Sequence, residues 1–249
     1  MAKTILMLAM YGWEIVEVGG TLALHAEVGD QVVAAVMLAR PESRAPLAAA
    51  AAILGAQPPH FLDFLIGEIA VDLASKRKLV ELLRATRPDI LITQDPEHAQ
   101  HDLDPDRRPG MILFLEAVAL AGRDWRVAEC GGHAPHTVRD WYYMTPERPN
   151  CVVEIGRTFA RKQQALAQLD YQLTYSAQVQ RARLGDAVLS HMLPNYAAIK
   201  DDDHALGLAL HRAMDLALAM QHGLLNHHAH AALAEAFRHE GPFTLDGLV

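Results

Sequence analysis

Two cysteines in 249 residues, Cys130 and Cys151, are too few for a disulfide framework or a thiolate zinc site, and they read as reduced, buried thiols of a cytoplasmic protein. Clustered cations are equally scarce. The longest Lys/Arg block is "KRK" at 76–78 and the formal net charge is -8, which argues against a nucleic-acid surface because phosphate binding needs grouped positive charge. No apolar run approaches the roughly 20 residues of a membrane span. The early run "TILMLAM" is too short for a secretion signal and is followed by Glu14 and Glu17. No G-x-S-x-G turn surrounds Ser43, Ser75, Ser176 or Ser190, and "VGGTLALHAEVG" holds no G-x-G-x-x-G, so serine-hydrolase and dinucleotide chemistry lack their frames.

What is present is aliphatic: 51% of residues are hydrophobic and only 6% aromatic. Residues 3–9 and 31–38 are continuous apolar runs, as expected of strands buried on both faces. Helical spacing fills 17–28, 42–55 (capped by Gly55) and 72–89, a short strand fits 60–63, and "DILIT" at 89–93 reads as another buried strand. Strand–helix alternation with short connections predicts an α/β fold, a mostly parallel Rossmann-like sheet with helices on both faces. "WRVAE" (125–129), "DWYYM" (140–144) and "CVVEI" (151–155) are further candidate strands. Helical character follows from 156 to about 190, and again through "DDDHALGLALHRAMDLALAMQHGLLNHHAHAALAEAFRHE". With no linker in view, 1–249 reads as one domain: a parallel core over 1–125, with added strands and a C-terminal helical extension over 126–249.

In such sheets ligands bind beyond the C-terminal strand ends. Two loops emerge there, 10–16 and 94–110. The first, "AMYGWEIVEVGG", puts Met10, Tyr11 and Trp13 where histidines and carboxylates would be useful. The second concentrates Asp95, Glu97, His98, His101, Asp102, Asp104, Asp106, Arg107 and Arg108, readable either as a charged rim for a polar ligand or as a solvated loop with internal ion pairs. "GGHAPHTVRDW" adds His133 and His136, which with Asp104 or Asp106 would be the most plausible ligands of any metal that persists. "NHHAHAA" at 226–232 reads as a helix-surface or oligomer-contact cluster, with His227 and His230 on one face and His228 apart from them.

The joint spacing resembles the LmbE-like, or PIG-L, family of zinc-dependent deacetylases. That family's H-P-D-D-E motif, four residues and G-G-T find their frame in "AMYGWEIVEVGGTLA", which keeps Ala9, Glu14, Gly19, Gly20 and Thr21. Its H-P-D-H-R motif has a counterpart in "DPDRR" at 104–108. "VVEIGRTFARKQQAL" is similar to the family strand leading into a lysine-bearing helix, here Lys162, and "LAEAFR" resembles its closing helix. Carried over position by position, the family's zinc ligands fall on Met10, Trp13 and Arg107, and its general base on Gly12. A thioether, an indole and a guanidinium are not zinc donors, so no zinc cofactor is expected.

Two functions follow from that resemblance. One is a non-catalytic scaffold or partner subunit of an active paralogue, in a homo- or hetero-oligomer, with apolar side chains filling the former metal pocket. The other is a metal-independent or metal-altered hydrolase or hydratase, since the family also contains hydratases and carbon–carbon hydrolases. Arg107 and Arg108 would then bind a small carboxylated substrate, with Glu14, Asp104, Asp106 and His136 as acid–base groups and Tyr11, Trp13, His101 and His133 as further contacts.

Overall fold

The computed structural model describes residues 2–224 and 231–241. Its seven strands are β1 (Thr4–Ala9), β2 (Gln31–Val36), β3 (His60–Phe61), β4 (Ile90–Gln94), β5 (Asp140–Met144), β6 (Cys151–Glu154) and β7 (Ala234–His239). They form one sheet in the order β3-β2-β1-β4-β5-β7-β6, parallel throughout except for β7, which runs antiparallel to both its neighbours. The central strand shows why its sequence is apolar at every position. Successive side chains point to opposite faces: Leu6 and Leu8 enter one buried cluster, while Ile5, Met7 and Ala9 enter another.

The helices are α1 (Glu14–Glu17), α2 (Gly19–Glu27), α3 (Pro41–Leu54), α4 (Leu73–Thr86), α5 (Pro96–His101), α6 (Arg107–Ala121), α7 (Phe159–Leu166), α8 (Asp170–Met192), α9 (Tyr196–Ile199) and α10 (Asp203–Leu224). Leu79 and Leu83 of α4, with Leu113 and Phe114 of α6, cover the Leu6/Leu8 face. Leu22 of α2, Leu47 and Leu54 of α3 and Leu166 of α7 cover the other. A third cluster, including Ala177, Leu189, Leu206 and Leu210, joins α8 to α10. Asp72 starts α4 by accepting a hydrogen bond from the Ser75 amide at 2.8 Å, a side-chain N-cap that satisfies an otherwise orphaned donor. Among the described residues no helix is long and apolar enough to cross a membrane.

Several sequence expectations are corrected. "WRVAE" is no strand: Val127–Glu129 is a single 3-10 turn, stapled by Arg126 donating to Glu129 at 2.7 Å. The 94–110 segment is largely helical rather than a loop, because Asp95 caps α5 through the Glu97 amide (2.8 Å) and α6 begins at Arg107. The helix read over 17–28 is α2, preceded by the separate short helix α1 that the reading of 10–16 as a loop left out. "LAEAFR" is not a closing helix. It contributes most of β7, where two antiparallel partners override its helical propensity. The histidines at 227, 228 and 230 lie outside the described residues.

Candidate functional site

The connections from β1 run one way along the sheet and those from β4 the other. A crevice therefore opens beyond Ala9 and Gln94, where the two loops meet. Glu14, only 2% exposed at the start of α1, is the centre of the first loop. Its carboxylate accepts the amides of Met10 (3.3 Å) and Tyr11 (3.2 Å) and stands 3.5 Å from Arg107 Nη1. Arg107 also donates to Gln94 Oε1 at the end of β4, pairs with Asp102 through Nε at 3.2 Å, and places its guanidinium 5.4 Å from the Tyr11 ring centre. The Tyr11 hydroxyl donates to Asp104 Oδ2 at 2.6 Å, and Asp104 Oδ1 accepts the amides of Asp106 (2.9 Å) and Arg107 (3.2 Å). Burial, and then the hydrogen bond and charge of Asp104, push the Tyr11 phenol well above its ordinary range. The result is a closed ring of charge-assisted bonds spanning both loops.

Gly12 turns the first loop with φ +90, and a Cβ there would come 2.6 Å from Leu47 Cδ1. Met10 leaves the crevice altogether. It is 1% exposed and runs into the core so close to α6 that a Cβ on Gly110 would lie 2.1 Å from its methyl carbon. Trp13 turns the other way, its ring centre 4.3 Å from that of His211 on α10.

The remaining predicted residues divide sharply. Asp106, 1% exposed, holds down residues 67–69 by accepting the Gly67 amide at 2.7 Å and the Ile69 amide at 3.5 Å. Arg108 donates to the Asp102 carbonyl, and His101 is exposed on α5. The structure does not bring His133 or His136 to the crevice. His136 is 2.7 Å from the Pro88 carbonyl, ahead of β4 and at the far end of the sheet, while His133 is exposed nearby. Among the described residues no group of three or more His, Cys, Asp or Glu side chains is placed to hold a metal ion.

Beside Trp13 lies a cleft of about 780 Å³ between β7 and α10, lined also by Glu17, Lys162, His211, Asp215, His222 and Glu235. Lys162 is 3% exposed. Its ammonium donates to the Glu17 carbonyl (2.7 Å) and Glu235 Oε1 (2.9 Å) and pairs with Asp215 Oδ1 (2.8 Å). Burial opposes that charge, but Glu235 and Asp215 outweigh it and hold the lysine above its ordinary range. Glu235 also accepts the Gly20 and Thr21 amides at 2.9 and 2.8 Å, and the bare Gly20 lets α2 pack closely on Ile155, which a Cβ there would meet at 2.7 Å. Burial, then the charge of Glu14, lifts the Glu17 carboxyl to about 7, and burial lowers His211 to about 4. Sequence reasoning took Lys162 only as a family likeness and missed Asp215 and Glu235. The available signal was one acid alone in each apolar stretch, "HRAMDLALAM" and "LAEAFR".

No family model matches the chain. It is 30% identical over 118 residues to the diacetylchitobiose deacetylase of Thermococcus kodakarensis, a match covering 47% of this chain and 44% of that one. The chain thus spans less than half the length of this curated relative. Its fold is similar to the N,N'-diacetylchitobiose deacetylase of Pyrococcus horikoshii (TM-score 0.68, 18% identity, 96% of this chain and 84% of that). It is also similar to the 4-carboxy-2-hydroxymuconate hydratase of Pseudomonas putida (TM-score 0.68, 19% identity, 99% and 100%). A third likeness is to a conserved protein of Thermus thermophilus (TM-score 0.69, 22% identity, 100% and 98%). The mostly parallel sheet, with its crevice at the switch point, is the fold of LmbE-type deacetylases. Over those 118 residues, and in its fold, the chain is similar to LmbE-type deacetylases.

Proposed function

We propose that this chain is an LmbE-like protein in which a fixed ion-pair ring replaces zinc chemistry, and that it serves as a non-catalytic scaffold or partner subunit beside an active relative. The observation that carries this is the position of Arg107, whose guanidinium ties Glu14, Gln94 and Asp102 together at the mouth of the crevice. Zinc takes imidazole, thiolate or carboxylate donors at about 2.0–2.3 Å. The positions that match the family's ligands hold a core-buried thioether, an indole and this guanidinium, so the residues present do not fit the ion. A guanidinium supplies charge but does not acidify a water molecule, and Gly12 has no side chain to accept a proton.

Metal analysis of the purified protein, with and without prior chelation, tests this. Substoichiometric zinc and no hydrolysis of diacetylchitobiose are expected. One chelator-removable zinc per chain would overturn the proposal. The alternative is a hydrolase or hydratase for a carboxylated small molecule, supported by the full-length fold likeness to a hydratase and by the 21% side-chain exposure that Arg107 keeps. Calorimetry with succinate discriminates: binding that Arg107→Met abolishes supports the alternative, and no binding supports the scaffold.

A further inference from the structure

The cleft between α10 and β7, about 780 Å³, falls in the size range of small-molecule sites. Much of its wall is hydrocarbon from Trp13, Val16, Leu166, Met214 and Leu218. Its buried ions are mutually satisfied: Lys162 has three acceptors, Glu235 takes two backbone amides as well as the lysine, and Asp215 takes Lys162 and Gln163. Glu17 is different. It lines the same space, and among the described residues its carboxyl has no hydrogen-bond or ion-pair partner. The charges acting on it are Glu14 on its own helix, Arg107 from α6, Lys162 from α7 and Asp215 from α10, with Lys162 already engaged by two carboxylates.

A single unmatched carboxyl in a largely apolar cleft is costly to leave bare and favourable to pair with a cation. A second carboxylate on the ligand would be repelled, and a wholly apolar ligand would leave Glu17 desolvated. We propose that this cleft binds a small primary amine with an apolar body, its ammonium held by Glu17 and its hydrocarbon packed against Trp13 and Met214. The proposal stands apart from the metal question and holds whether or not the crevice binds zinc.

Titration calorimetry with the full chain at pH 8, where Glu17 is ionised, compares three probes of matched shape: phenethylamine, phenethyl alcohol and 3-phenylpropionate. The amine is expected to bind about tenfold tighter than the alcohol, the gain of one partly desolvated charge pair, and the carboxylate more weakly than either. Glu17→Gln is expected to erase the amine's advantage while leaving alcohol affinity unchanged, which also shows that the cleft still folds. Trp13→Ala is expected to weaken amine and alcohol alike. Equal binding of amine and alcohol by the native protein, preference for the carboxylate, no binding of any probe, or an amine preference that survives Glu17→Gln would each overturn the proposal.

Discussion

Lys162→Met removes one ammonium from the buried cluster beside β7 and keeps nearly all of the side chain's hydrocarbon. Deleting one partner of a buried ion pair costs about 3–5 kcal/mol, because the remaining charge loses its compensation without regaining water. Two carboxylates are stranded here. Glu235 keeps the Gly20 and Thr21 amides, and Asp215, whose side chain is 17% exposed, keeps Gln163. Those remaining bonds put the loss at the lower end, about 3 kcal/mol, or about 6–12 °C in Tm for a chain of this size. The pH dependence has a definite sign. Burial already lifts Asp215 above its ordinary range with Lys162 beside it, and removing the lysine lifts it further. A carboxyl with a raised folded-state pKa holds its proton better in the folded than in the unfolded chain. Its stabilisation is therefore present at low pH and lost as pH rises through the folded value. Urea denaturation at pH 5 and pH 8 should show the larger deficit at pH 8, and Asp215→Asn in the same background should recover part of it. A deficit below about 1 kcal/mol, the worth of an ordinary surface pair, or one identical at both pH values, would refute the reasoning.

Arg84, 1% exposed, donates to the carbonyls of Ala121 (3.2 Å), Leu120 (3.3 Å), Arg123 (2.7 Å) and Trp125 (3.0 Å), fastening the end of α6 to α4. Arg84→Met should cost about 2–4 kcal/mol from the stranded carbonyls, and Arg84→Lys should recover only part because an ammonium cannot span that fork; unchanged denaturation midpoints would contradict this. Gly12→Ala forces a side chain into φ +90 and onto Leu47, for a loss of about 1–3 kcal/mol that Leu47→Ala should partly relieve in a double-mutant melt. Burial, then Glu240, pushes Tyr143 up to about 12 against the opposing Arg238. Its contribution to stability is thus complete below the unfolded phenol value of about 10 and fades as pH climbs toward 12. Difference absorbance should find at least two tyrosines, Tyr11 and Tyr143, still protonated at pH 11, and Tyr143→Phe should lower that number by one.

The parallel core was legible because burial on both faces leaves an uninterrupted apolar run, as in β1 and β2, and because a left-handed cap such as Gly55 announces a helix end. The crevice was legible in part for the same reason: Tyr11, Glu14, Asp104 and Arg107 sit beyond adjacent strands and do meet. His133 and His136 were misjudged because the chain after α6 returns to the opposite end of the sheet, a turn that no local pattern records. Lys162 finds Glu235 across 73 residues of sequence, and spacing carries no trace of such a pairing. "LAEAFR" deceived because alanine, leucine and glutamate favour helices, whereas the vacancy between β5 and β6 decides its form.

During synthesis β5 and β6 leave the ribosome long before the strand that must lie between them. Until residues 234–239 follow, β5 keeps an unmated edge and β6 has no strand to pair with, and the slot beside β5 would equally admit an extended segment from another nascent chain. Glu235 and Arg238 act as keys for that slot, since Lys162 and Asp95 wait on its flanks as charges that a foreign strand would leave unanswered.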